Sequence, residues 1–249
     1  MKKYFYMILT SFIAFSCSTE DSDNFSSSTS DNDGQGGSLA TFALKGDYLY
    51  TVDNTDLTVF NITDIKDPVQ VNTIPIGFNI ETLFSYKNYL YIGSRNGMFI
   101  YGLTNPEFPE KLSQVEHFTA CDPVIANNTH AFVTLHSNAI CGTAVNLLEI
   151  YDITTITDPI LINSRNLTSP KGLGLYEDYL IVSDDEIKIF DISNPENSTL
   201  VTSINQNAFD VIISGDLLIA IGETGLYQYK LSSNESTGIS ITELSTINI

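Results

Sequence analysis

The sequence contains no tryptophan, only three cysteines and three histidines, and only 11 lysines and arginines among 249 residues. Against 30 Asp and Glu, that shortage of cations leaves a net charge of −19. Such acidity argues against a nucleic-acid partner, because Lys and Arg must neutralise the phosphates. It argues equally against electrostatic docking on anionic lipid. Three cysteines are too few for a disulfide-dense miniature. His117, His130 and His136 form neither H-x-x-x-H nor H-E-x-x-H, so no zinc-helix motif is present. There is no G-x-S-x-G elbow. Gly172-Leu173-Gly174 lacks the rest of a dinucleotide fingerprint. No stretch keeps a helical period of 3.6. What the chain does have is 43% hydrophobic residues, with 13 Tyr and 14 Phe, enough for a packed core.

The first residues read as an address. Lys2 and Lys3 precede an apolar run of 12 residues, Tyr4–Phe15, followed by Ser16 and Cys17. A basic start, a short apolar stretch and a small residue before the cut make a secretory signal. The run is too short to span about 30 Å of hydrocarbon, which takes about 20 residues. Ala14-Phe15-Ser16-Cys17 resembles a bacterial lipobox, with Phe15 where a small residue is usual. The resemblance implies a signal peptide over residues 1–16, acylation of Cys17, and a chain held on the outer membrane or cell surface of a Gram-negative bacterium by its lipid. Residues 17–37 are rich in Ser, Asp, Asn and Gly, and are expected to be a disordered acidic tether. Within it, Glu20-Asp21-Ser22-Asp23 resembles a surface-export signal of Gram-negative lipoproteins.

The remainder is a repeat. Leu57–Thr63 (LTVFNIT) recurs as Met98–Thr104, Leu148–Thr154, Ile187–Ser193 and Leu226–Ser232, each with an aromatic at the fourth place and Ser or Thr at the seventh. A second marker begins at Tyr48, Tyr89, His130, Tyr179 and Leu217, with spacings of 41, 41, 49 and 38. Each unit reads as four short strands, with β-branched and aromatic residues in the strands and Gly, Asp, Asn and Pro between them. In the first unit these are Leu39–Leu44, Tyr48–Val52, Leu57–Ile62 and Val69–Ile74. Pro68, Pro109 and Pro159 stand before a fourth strand, where a missing N–H suits an edge. Four strands in about 40 residues make a propeller blade. The expectation for residues 38–249 is therefore an all-β, five-bladed β-propeller whose first and last blades are each complete, ending with Ile239–Ile247.

The units resemble LVIVD repeats. "FDISNP" at Phe190–Pro195 is close to the repeat core, and "VFNITDIKDP" and "IYDITTITDP" are variants. Cys121–Leu135 and Asp210–Tyr229 resemble a cell-surface lipoprotein subgroup of that family. The resemblance implies a propeller and a surface location, and supplies no reaction and no catalytic residue.

Candidate sites follow from the repeat alignment. Glu81, Asp122, Lys171 and Asp210 fall at the entry to the innermost strands, at one mouth of the central channel, where polar groups on a rigid scaffold can bind a ligand. No cofactor is implied. Asp53, Asp56, Asp184, Asp185, Glu186 and Glu223 lie in turns between second and third strands, where Ca²⁺ could gather oxygens, although Asp is also a turn former. His130 occupies a slot held by Tyr or Leu in other repeats and reads as a packing residue. Cys121 starts the third blade and Cys141 sits in the loop between its second and third strands, at the same end of an up-and-down sheet. With Cys17 consumed by lipid, an exported chain would oxidise this remaining pair. Closing that loop contributes about 3 kcal/mol in the chain-entropy model.

The favoured reading is a surface-anchored binding or scaffolding module with a protein or glycan partner. One alternative is an extracellular glycan-active hydrolase, with Glu81, Asp122 and Asp210 supplying carboxylates about 5–10 Å apart. Another is a subunit of a larger surface complex. The lipobox generates the first test. Cys17→Ala should move the chain from the membrane to the soluble fraction on cell fractionation, and equal partitioning of both forms would refute acylation.

Overall fold

The computed structural model describes residues 37–117, 123–137, 145–234 and 236–249. Cys17, Cys121, Asp122 and Cys141 lie outside the described residues, and with them the expected lipidation and disulfide.

Five antiparallel four-stranded sheets follow one another along the chain. Blade one comprises β1 (Phe42–Lys45), β2 (Tyr48–Val52), β3 (Asp56–Asn61) and β4 (Val69–Pro75). Blade two comprises β5 (Ile80–Tyr86), β6 (Tyr89–Ser94), β7 (Gly97–Gly102) and β8 (Glu110–Glu116). Blade three comprises β9 (Val124–Ala126), β10 (His130–Leu135), β11 (Leu147–Asp152) and β12 (Ile160–Asn166). Blade four comprises β13 (Leu173–Tyr176), β14 (Tyr179–Ser183), β15 (Ile187–Asp191) and β16 (Thr199–Ile204). Blade five comprises β17 (Asp210–Ser214), β18 (Leu217–Gly222), β19 (Gly225–Asn234) and β20 (Gly238–Asn248). The only helical element among the described residues is a 3-10 turn, Pro195–Asn197. Among the described residues no strand is shared between the chain ends, as the repeat arithmetic implied. One difference concerns the start. Leu39–Thr41 were expected in the first strand, but Ala40 turns its carbonyl to Leu83 N of blade two (2.7 Å), so these residues form an entry segment instead.

Each blade is apolar on both faces, so its core lies between blades. The repeat's aromatic faces backward, onto the preceding blade. Tyr101 joins the cluster between blades one and two, Tyr151 that between two and three, Phe190 that between three and four, and Tyr229 that between four and five. The residue two beyond it (Leu103, Ile153, Ile192, Leu231) joins the same cluster. The second-strand residues Tyr50, Tyr91, Phe132 and Ile181 face forward, each onto the next blade. At the same repeat position every blade carries a β-bulge on its fourth strand, leaving Val71, Leu112, Ile162, Val201 and Leu244 unpaired in the ladder.

The residue after the bulge latches the rim. Asn72 Nδ2 donates to Glu107 O (2.9 Å), Ser113 Oγ to Ile156 O (2.7 Å), and Asn163 Nδ2 to Glu196 O (2.8 Å). Each acceptor lies in the turn before the fourth strand of the following blade, the segment the sequence marks with Asp-Pro or Asn-Pro. Arg165 adds a guanidinium 4.9 Å from the Phe190 ring centroid and a hydrogen bond to Ser198 O.

Phe190 is 1% exposed and central to its seam. Phe190→Ala should cost about 3–5 kcal/mol in denaturant unfolding, because a large buried ring leaves a cavity. Val201→Ala, at the exposed bulge of blade four, should stay within about 0.5 kcal/mol of the parent.

Candidate functional site

The first strands β1, β5, β9, β13 and β17 run inward-most, and their starts define the mouth at which Glu81, Asp122, Lys171 and Asp210 were expected. The entry segment reaches this end. Ser38 is fully buried, and its Oγ accepts Leu173 N from blade four (2.7 Å). Its hydroxyl in turn donates to the Asp210 carboxylate. Gly37 and Gly172 lie against that carboxylate, where a Cβ would come within 2.4 Å and 2.3 Å of its oxygens. At Gly172 a Cβ would also meet the Asp210 Cα at 2.6 Å, so only glycine permits the approach there.

Burial pushes the Asp210 carboxyl up to about 6, against the hydrogen bonds from Val211 N and Ser38 that favour its ionised form. The other described members, Glu81 at the start of β5 and Lys171 two residues before β13, have neighbours of their own. Glu81 Oε1 accepts Arg95 Nε of its own blade at 2.8 Å. Lys171 shares a separate cleft of about 250 Å³ with Asn207, Glu223 and Thr224. Glu81 is therefore held by an arginine and Asp210 by the entry segment, while Lys171 lines a cleft.

The acidic turns use their oxygens internally. Asp53 Oδ1 accepts Thr55 N and Asp56 N, both at 2.8 Å, and these bonds hold its carboxyl below the usual range. Asp184 is buried and accepts Thr168 N, Ser169 N and Lys188 Nζ. No group of three metal-ligating side chains occurs among the described residues. His130 is half-buried, bonded through Nδ1 to Thr129 Oγ1 (2.8 Å), with its ring tilted against Phe132 at 6.4 Å. Desolvation lowers its pKa.

The cavity that does form lies further along the inner strands. It measures about 210 Å³ and is lined by β5, β9, β13 and β17, with Phe84, Ile125, Leu175 and Ile212 among its walls and Tyr86 and Asn127 towards the opposite mouth. Sequence reasoning did not find it. The available signal was consecutive apolar residues on an inner strand, Val211-Ile212-Ile213, where one parity packs between blades and the other faces the axis. Gly174 brings two of these strands together, since a Cβ there would meet Ile213 at 2.9 Å. A small residue at this place relieves crowding near the axis.

The architecture is that of a β-propeller with five four-stranded blades. Residues 36–73 and 170–206 match the LVIVD repeat, which supports that repeat family. No curated protein matches the chain. Solved structures that resemble it include the periplasmic gluconolactonase of Pseudomonas aeruginosa, at 12% identity and TM-score 0.62 over 82% of this chain and 68% of that one. A chain of the mitotic checkpoint complex also aligns at 12% and 0.62, over 82% of this chain and 64% of its own. Hsv2 of Kluyveromyces lactis aligns at 10% and 0.53, over 82% and 60%. The last two have less than two thirds of their length covered. At such identities the likeness establishes the fold alone.

Asp210 sets a pH dependence. Its folded pKa is above the ordinary value of 3.8, so the folded state binds the proton more tightly than the unfolded chain. Stability should therefore fall as pH rises from about 4 to about 6 and level off above. Asp210→Asn should remove that slope and raise stability at pH 7.5 by up to about 2–3 kcal/mol, read from urea midpoints across the range. An unchanged slope would refute the assignment.

Proposed function

We propose that this chain is a lipid-anchored protein of the Gram-negative outer membrane whose propeller is a binding or scaffolding module. The lipobox-like Ala14–Cys17 and the acidic residues 17–37 support the anchor and the tether. The observation that carries the binding reading is the apolar cavity of about 210 Å³ between the inner strands of four blades. Concave, mostly apolar cavities on rigid scaffolds are where ligands are held. An apolar lining recognises a hydrophobic group on a partner, such as an aromatic or aliphatic side chain, in preference to a sugar.

The geometry favours binding over glycan hydrolysis. A glycosidase needs two carboxylates facing one bond. Here Glu81 is committed to Arg95, and Asp210 is covered by Ser38 and bounded by Gly37 and Gly172.

An apolar cavity of this size takes a benzene-sized group. Titration with indole, followed by NMR shifts of the methyl groups of Ile125, Leu175 and Ile212, should show saturable binding. Leu175→Trp should fill the space and abolish it. The absence of any saturable shift in the parent protein would overturn the channel as the binding site.

A further inference from the structure

A second cavity lies in the seam between blades two and three, where β5 turns into β6. It measures about 150 Å³ and shares only Tyr86 and Asn127 with the channel cavity. Its polar wall comes from the β5–β6 turn and the start of β6 (Tyr86, Lys87, Tyr89, Tyr91) and from the β9–β10 turn (Asn127, Asn128). Ile153 and Ile156 form its apolar side. The chain carries 30 Asp and Glu against 11 Lys and Arg, yet no Asp or Glu is among the described residues that line this cavity.

The repeat explains why polar groups are left over here. In the seam between blades one and two the equivalent tyrosines are satisfied by the next blade. Tyr50 Oη donates to Pro106 O (2.9 Å) and Tyr48 Oη to Glu107 Oε1 (3.1 Å). Between blades two and three both arrangements are lost. Ile156 stands at the Pro106 place, and its carbonyl accepts Ser113 Oγ instead (2.7 Å). Thr157 stands at the Glu107 place and brings no carboxylate. Blades three and four carry Phe132 and Ile181 at the Tyr91 place, neither with a hydroxyl. Tyr91 is 1% exposed, and among the described residues its hydroxyl has no hydrogen-bond partner; nor has that of Tyr89. Ser85 Oγ and Ser183 Oγ are sealed in protein, but Tyr91 Oη is not: it opens into the cavity. Burial, with Tyr89 and Tyr86 beside it, holds the Tyr91 phenol far above its ordinary value, so it keeps its proton and can donate.

The other groups left over here are donors as well. Asn127 Oδ1 accepts Thr129 N and His130 N, and Asn128 Oδ1 accepts Tyr86 Oη (2.8 Å), which leaves the two amide nitrogens for a ligand. Lys87 holds a left-handed turn place (φ 51°) that is Gly46 in blade one, Glu177 in blade four and Gly215 in blade five. Blade two alone puts a cation there, 5.7 Å from the Tyr86 ring centroid and with no carboxylate partner among the described residues. One ammonium and several neutral N–H and O–H donors match one negative charge spread over two oxygens. A phosphate dianion would ask for a second cation, and a purely apolar group would leave the Tyr91 hydroxyl unpaired. We propose that this seam binds a small monocarboxylate, its oxygens on Lys87 Nζ and Tyr91 Oη and its short aliphatic stem against Ile153 and Ile156. The site is independent of what the channel cavity holds.

The probe is butyrate, added to the full chain with labelled isoleucine and leucine methyl groups. The Ile153 and Ile156 methyls should shift saturably, while those of Ile125, Leu175 and Ile212 around the channel cavity stay in place. 1-Butanol, with the same stem and no charge, should bind at least about tenfold more weakly. Tyr91→Phe should weaken butyrate binding about tenfold with melting unchanged, since the hydroxyl bonds no described protein group. Lys87→Gly should weaken it about fivefold, and it keeps the fold because two other blades carry glycine at that place. The absence of a saturable shift, equal binding of butyrate and 1-butanol, inorganic phosphate binding as tightly as butyrate, or an affinity unchanged in either variant would each overturn the proposal. Shifts confined to the channel methyls would overturn it too, and would leave the channel reading standing.

Discussion

A four-stranded blade has two apolar faces and cannot bury either of them alone. Everything else in this protein depends on that constraint. The repeat meets it with a backward-facing aromatic and a forward-facing second strand, so each core belongs to a pair of neighbouring sheets rather than to one sheet. Such a structure gains its stability seam by seam, as repeat proteins do. The seams differ in what reinforces them. Between blades three and four the packed Phe190 is joined by the Asn163 latch and by Arg165 lying over its ring. The rim between blades four and five is more open, because blade five replaces the proline-marked turn with a short connection between Asn234 and Gly238, and Val201 stays exposed.

The axis obeys a second constraint, crowding. Inner strands that converge need small residues where backbones meet, and Gly172 and Gly174 occupy such places against blade five. The entry segment exploits the same space at Gly37 and Ser38. One result is a carboxylate, Asp210, kept in a poorly solvated position by a serine hydroxyl. The other is an apolar volume further along the inner strands.

Much of the fold was legible in the residues. The five copies of the aromatic marker correspond to five sheets, and β2 matches its expected bounds, Tyr48–Val52. The bulge and the rim latch were not legible, because each is a matter of register. Nothing in the letters of Val71 or Asn72 says that the first drops out of the ladder and the second reaches the next blade. The candidate site was legible only as a level in the alignment. Alignment placed Glu81, Lys171 and Asp210 at one height. It could not place Arg95 beside the first or Ser38, more than 170 residues away in sequence, over the last.

The sequence by itself determined the strand pattern, the number of blades and the residues that face a neighbour, because alternation and repeat period are local properties. Only the tertiary structure decided which of those faces are covered, where the entry segment meets Asp210 and where a cavity remains. Those outcomes depend on how close distant strands come, and a difference of one Cβ at Gly172 is enough to change them.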